Sequence, residues 1–142
     1  VGGDNLLLDI TPNIGMYLDG DPDPLGTYLE TLGRIEALAP RLVLPGHNDV
    51  IRDAAGRARE TRLHHDDRLA AALAPLDRAT PRSGYEVSLS IWEMELAPIH
   101  RRFAVQEAVA HLERLVLDGR AHRHEGEPVL DGSVPSVAYT AA

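Results

Sequence analysis

The sequence contains no cysteine and no lysine, since all 14 of its basic residues are arginine. Without cysteine there is no disulfide, no thiolate nucleophile, no cysteine-ligated zinc and no iron–sulfur cluster. Without lysine there is neither a Schiff-base amine nor a phosphate-loop lysine. Aromatic residues are few, with one Trp, one Phe and four Tyr, which leaves little for stacking on bases. Of these, Trp92 and Phe103 read as core residues. No Gly-x-Ser-x-Gly elbow occurs, so serine hydrolase chemistry is not indicated. No apolar run approaches the ~20 residues of a membrane span and no basic-then-apolar leader is present, so the chain is read as soluble and cytoplasmic. It also opens Val1-Gly2-Gly3-Asp4 without an initiator Met, which points to a fragment or processed product of a longer polypeptide.

What is present is an acidic chain of 142 residues with a net charge of −8, which argues against bulk attraction to nucleic acid or to an anionic membrane. Hydrophobic and charged fractions of 44% and 25% are those of a soluble globular protein, and the length suits one domain or two small ones. Leu6-Leu7-Leu8 reads as a short buried or edge strand, and residues 11–23, dense in Pro, Gly, Asn and Asp, as a loop. Asp23-Pro24 opens a helix, with Asp as N-cap and Pro in the first turn. Its apolar positions Leu25, Tyr28, Leu29, Leu32, Ile35 and Leu38 share one face, and it ends before Pro40. Arg41 to Leu44 is a strand candidate stopped by Pro45-Gly46, which puts His47 at its carboxyl end. Asp53 caps a second helix running to about Leu73, whose charged middle, residues 57–68, reads as solvated or as an interface.

The polar stretch 77–83 is the candidate boundary between two units. Beyond it come a short helix over residues 85–96, a break at Pro98, and a helix over residues 103–118 stopped by Gly119. The apolar face of this last helix is Val105, Ala108, Val109, Leu112, Leu115 and Val116, with His111 on the polar side. Residues 121–125 and 128–130 read as two strands around a Gly126-Glu127 turn. Residues 133–142 read as a loose tail.

The constellation with most chemical content is Asp4 after the Gly-Gly turn together with His47 in Leu44-Pro45-Gly46-His47. Carboxylate and imidazole are a natural donor pair for a divalent ion, although a complete site needs further ligands, and ordinary turn chemistry also explains both loops. His64-His65-Asp66-Asp67 lies on a helix, where neighbouring side chains diverge by about 100°, so the two imidazoles do not converge on one metal. His65 could face the interior. His122 and His124 are read as surface residues. Arg101, Arg102, Arg114, Arg120 and Arg123 form a modest basic stretch, a weak footprint for nucleic acid.

Four stretches, Gly2 to Leu7, Ile10 to Gly15, the helix start at Asp23-Pro24-Leu25 leading to Leu42-Val43-Leu44-Pro45-Gly46-His47, and Arg102 to Leu115, carry a resemblance in their order and spacing. Together they resemble the C-terminal half of a metallo-β-lactamase-fold hydrolase of the glyoxalase II-like branch that carries a winged-helix-like C-terminal domain. The resemblance implies an α/β fold: residues 1–76 as the C-terminal half of an αββα sandwich, residues 77–132 as a small helical winged-helix-like domain, and 133–142 as the tail. It implies that Asp4 bridges two metal ions and His47 ligates one of them, with zinc expected and iron or manganese possible. The implied activity is hydrolysis of a thioester or ester-like small molecule by a metal-bound hydroxide. A metal-dependent ribonuclease of the same superfamily is one alternative, and a non-catalytic winged-helix-like interaction module is another. The family's His-x-His-x-Asp-His motif does not occur in the chain, so this polypeptide by itself is expected to be inactive. It is expected to self-associate or to pack against the missing N-terminal half, with no membrane partner. Asn48 stands where the family commonly has glycine, and asparagine tolerates a left-handed backbone.

Overall fold

The computed structural model describes residues 2–128 and 135–142. Asp23 accepts a hydrogen bond from the Gly26 amide at 2.9 Å and so starts α1, Pro24–Leu38. Asp53 does the same for Gly56 at 2.9 Å and starts α2, Ala54–Leu73. Both helices therefore begin where the caps place them. The buried stripe of α1 is Leu25, Tyr28 and Leu32. Leu38, the last residue of the helix, departs from expectation at 77% exposed.

In α2 the charged middle is not simply solvated. Ala54, Ala58, Thr61, His65, Leu69 and Ala72 form one continuous buried stripe, and its two central members are polar. Ser83 and Glu86 form a reciprocal capping box at the start of α3, Gly84–Ile91. That helix stops five residues before the expected Leu96, and the Arg101 guanidinium donates to the carbonyls of Ser88, Trp92 and Met94 around its end. The next helix, α4, covers Pro98–Leu117, with Pro98 in its first turn rather than only a break before it. Phe103 lies on an outer face of this helix, 42% exposed and outside the core.

The sheet is antiparallel and ordered β1-β3-β2, with β1 at Arg82–Ser83, β2 at Ala121–Pro128 and β3 at Pro135–Ala141. Two expectations fail here. No turn interrupts residues 126–127, because the strand continues through a register shift between Glu125 and Pro128, while the expected strand positions 129 and 130 lie outside the described residues. The supposed loose tail supplies the central strand. Tyr139 stands between Arg82 and Arg123 in register, and the pairing to two neighbours outweighs the weak local signal of a short, small-residue segment.

The expected strands over residues 6–8 and 41–44 do not form. The described contacts there are single bridges, Gly3 with Pro45 in parallel and Val43 with Ile51 in antiparallel. Leu6 and Leu7 are nonetheless buried. One core cluster joins Leu25, Leu69, Ala72, Leu76, Val87, Leu112, Leu115, Ala121 and Tyr139, and so takes members from all four helices and from the sheet. A second joins Leu6, Tyr28, Leu32, Val43, Ile51, Ala54 and Ala58. Among the described residues, no helix is long and apolar enough to cross a membrane.

Candidate functional site

Asp4 and His47, 43 residues apart in sequence, are brought together by backbone. The Gly2 amide donates to the Leu44 carbonyl and the Gly46 amide to the Gly3 carbonyl, each at 2.8 Å. This lays the two loops side by side, and the Nδ1–H of His47 donates to Oδ1 of Asp4 at 2.8 Å. The geometry depends on glycine at two points. Gly3 has φ +52°, and a Cβ on Gly46 would sit 2.6 Å from Oδ1 of Asp4. Asn48 takes φ 65°, as its tolerance for left-handed backbone allows.

The pair is open to solvent, with the His47 and Asp4 side chains 71% and 57% exposed. With Nδ1 engaged, Nε2 is the imidazole nitrogen left for another partner. Imidazole nitrogen and carboxylate oxygen are the right donors for zinc, iron or manganese. Among the described residues, no group of three or more His, Cys, Asp or Glu side chains is arranged to hold a metal. The described residues thus offer two donors at this point, where catalytic zinc sites use three protein ligands.

The segment that follows Asp4 is anchored from the helices rather than by a ladder. Tyr28 Oη donates to the Asn5 carbonyl at 3.0 Å, and Arg57 donates to the carbonyls of Leu7 at 2.7 Å and Ile10 at 2.9 Å. Burial pushes the Tyr28 phenol up to about 12. Neither anchor stood out in the sequence. An arginine in a charged run carries no local mark of whether it faces water or carbonyls.

The histidine cluster on α2 divides. His65 is fully buried, and His64 lies edge-on to it at 5.5 Å with the rings 78° apart, so the two do not converge on one point. His111, expected on the polar side of its helix, is fully buried instead, because α4 is covered by α1, α2, α3 and β2 and buries more than one stripe. His122 and His124 are exposed, as expected.

The arginines weighed for nucleic acid are mostly committed to the fold. Arg101 holds the end of α3, Arg114 pairs with Asp23 and Asp118, and Arg123 pairs with Glu113 and Glu125. Arg102 lies at an open groove between residues 16–22, α4 and the sheet, beside Gln106, Val109 and Tyr139.

Residues 69–131 match the family model for the metallo-beta-lactamase-like C-terminal domain. Over 99% of its length the chain is similar to 40% of a metallo-beta-lactamase family protein from Thermus thermophilus, at 34% identity and a TM-score of 0.80. It is similar in the same proportions to a beta-lactamase domain protein from Burkholderia ambifaria, at 35% identity and a TM-score of 0.82. The chain therefore spans 40% of the length of the solved chains that it matches. No curated protein matches it.

Proposed function

We propose that the chain is the C-terminal part of a binuclear metal-dependent hydrolase, with Asp4 and His47 as two of its metal ligands. The observation that carries this reading is the 2.8 Å approach of an imidazole and a carboxylate from loops 43 residues apart, held by backbone hydrogen bonds and a glycine that leaves room for the carboxylate. The match of residues 69–131 to the family model supports it. Asp4 would offer carboxylate oxygen and His47 imidazole nitrogen, and the hydrogen bond between them holds the two donors side by side. Zinc is the proposed metal and a thioester or ester-like small molecule the proposed substrate, in a glyoxalase II-like reaction. When bound, such ions lower the pKa of water toward neutrality and polarise a scissile carbonyl. Within this chain the work of the site is positional. Tyr28 and Arg57 hold the carbonyls after Asp4, and the Gly46 amide holds the Gly3 carbonyl before it.

The order β1, α3, α4, β2, β3 supports reading the C-terminal unit as winged-helix-like, with β3 added to the 77–132 span. Its place in the whole protein would be to cover one edge of the cleft. Exposed Leu38 and Leu42, which line a groove with Leu6 and Ile35, and exposed Leu44 support packing against a preceding half or another copy. Metal analysis of the complete protein tests the ligand assignment. Asp4→Asn and His47→Ala should each cut its metal content and turnover sharply without unfolding it. Metal content unchanged in both variants would overturn the reading.

A further inference from the structure

Two histidines form a bonded pair at the seam where α2 meets α4. His65 and His111 are both 0% exposed, with ring centroids 5.3 Å apart and planes inclined by 28°. Their protons can be placed by elimination. Nδ1 of His111 lies 2.8 Å from the Glu107 carbonyl, which only accepts, so this nitrogen carries a hydrogen. In the neutral ring, Nε2 of His111 is then an acceptor, and Nδ1 of His65, 3.2 Å away, must be the donor. That leaves the lone pair on Nε2 of His65 buried and without a hydrogen-bond partner.

The surroundings are hostile to a further proton. From α1 comes the edge of Tyr28, and from α2 come His64, the hydroxyl of Thr61, which donates to its own helix, and Arg68, which lies over Trp92 at 4.6 Å from the ring centre. From α4 comes Glu107, whose carboxylate receives Asn13 at 2.9 Å and stands 3.8 Å from Arg68, so it is already engaged. No hydrogen bond or ion pair joins a carboxylate to either ring among the described residues. A proton on His65 Nε2 would be a buried charge with no acceptor, and one on His111 Nε2 would either set two N–H groups against each other or drive the His65 proton to Nε2, where it again meets no acceptor.

We propose that His65 and His111 are an acid-sensitive clasp, closed while both rings are neutral, which docks α4 on α2 and is released by proton uptake. Burial is the main cause that holds His65 down to about 3 and His111 to about 4; Arg68 adds to it at both rings, while at His111 the bond to the Glu107 carbonyl acts the other way. Both values lie below the ordinary 6.5, so the open form binds protons that the closed form refuses. Closure is therefore fully favoured above about pH 6.5 and weakens as pH falls toward 4. With two sites, the open-to-closed ratio rises by at most about 100-fold per pH unit between those limits, and by less where Glu107, whose carboxyl pKa burial raises, takes up a proton in the closed form.

The test is long-range proton–nitrogen NMR of the imidazoles, with amide exchange along α2 and α4, on the intact chain from pH 7.5 to 4.5. At neutral pH both rings should show the Nδ1–H tautomer. Seam amides, corrected for intrinsic exchange, should lose protection below pH 6 with a slope above one proton. The double variant His65→Leu, His111→Leu should lose that slope. If it does not fold, the wild-type spectra decide alone. Titration of either ring near 6.5 with the seam still protected, a different tautomer, or protection independent of pH would overturn the proposal.

Discussion

Removing the last ten residues tests the architecture most directly, because local sequence marks them as dispensable and the fold makes them central. β3 pairs with both β1 and β2, and its Tyr139 is 1% exposed within the main core cluster. Two effects separate at this side chain. Its hydroxyl donates to the Glu113 carboxylate at 2.7 Å, while Arg123 also reaches that carboxylate at 3.0 Å, so Tyr139→Phe should cost only about 1.5 kcal/mol. Tyr139→Ala also removes the ring from the core and should cost about 3–5 kcal/mol, as other aromatic truncations do. With a urea slope of about 2 kcal/mol per molar, the alanine variant's midpoint should fall by about 2 M and the phenylalanine variant's by less than about 1 M. A chain ending at Gly132 strips the sheet of its middle strand and should show no cooperative transition, since that loss rivals the ~5–15 kcal/mol stability of a small domain. Fluorescence of the single tryptophan, Trp92, stacked beneath Arg68, reports the unfolding. An unchanged midpoint after truncation, or an alanine cost below about 1 kcal/mol, would refute the reasoning.

Three further outcomes are expected. Gly46→Ala would put a Cβ 2.6 Å from Oδ1 of Asp4, and so should push that carboxylate aside and abolish the fixed Nδ1–H tautomer of His47, with stability changing by less than about 0.5 kcal/mol because the pair is exposed; NMR of the imidazole checks it. Arg101→Ala removes donors to three carbonyls at the end of α3 and should cost about 2–3 kcal/mol in urea unfolding. Lysine at that position should not restore the loss, since it lacks the planar fork. If the chain contributes to a ribonuclease, Arg102→Glu should weaken binding of a short RNA in a salt-dependent way without lowering the urea midpoint. Arg101 and Arg123 cannot serve for that test because they hold the fold together.

Some of this protein was legible before any coordinates. The starts of α1 and α2 follow from Asp23-Pro24 and Asp53, because a cap is a local contract between one side chain and an amide three residues on. The candidacy of Asp4 and His47 came from their loops and from a family resemblance. Their 2.8 Å meeting depends on a backbone pairing across 43 residues, which no local pattern encodes. Strand β3 is hidden in the sequence for the same reason, since a short segment of small residues becomes a strand only when two partners are present to bond it. The polar middle of α2 and the burial of His111 were hidden by composition. Periodicity reads apolar residues as inside, but here two neutral histidines bond to each other across two helices, and only their packing reveals that they are core.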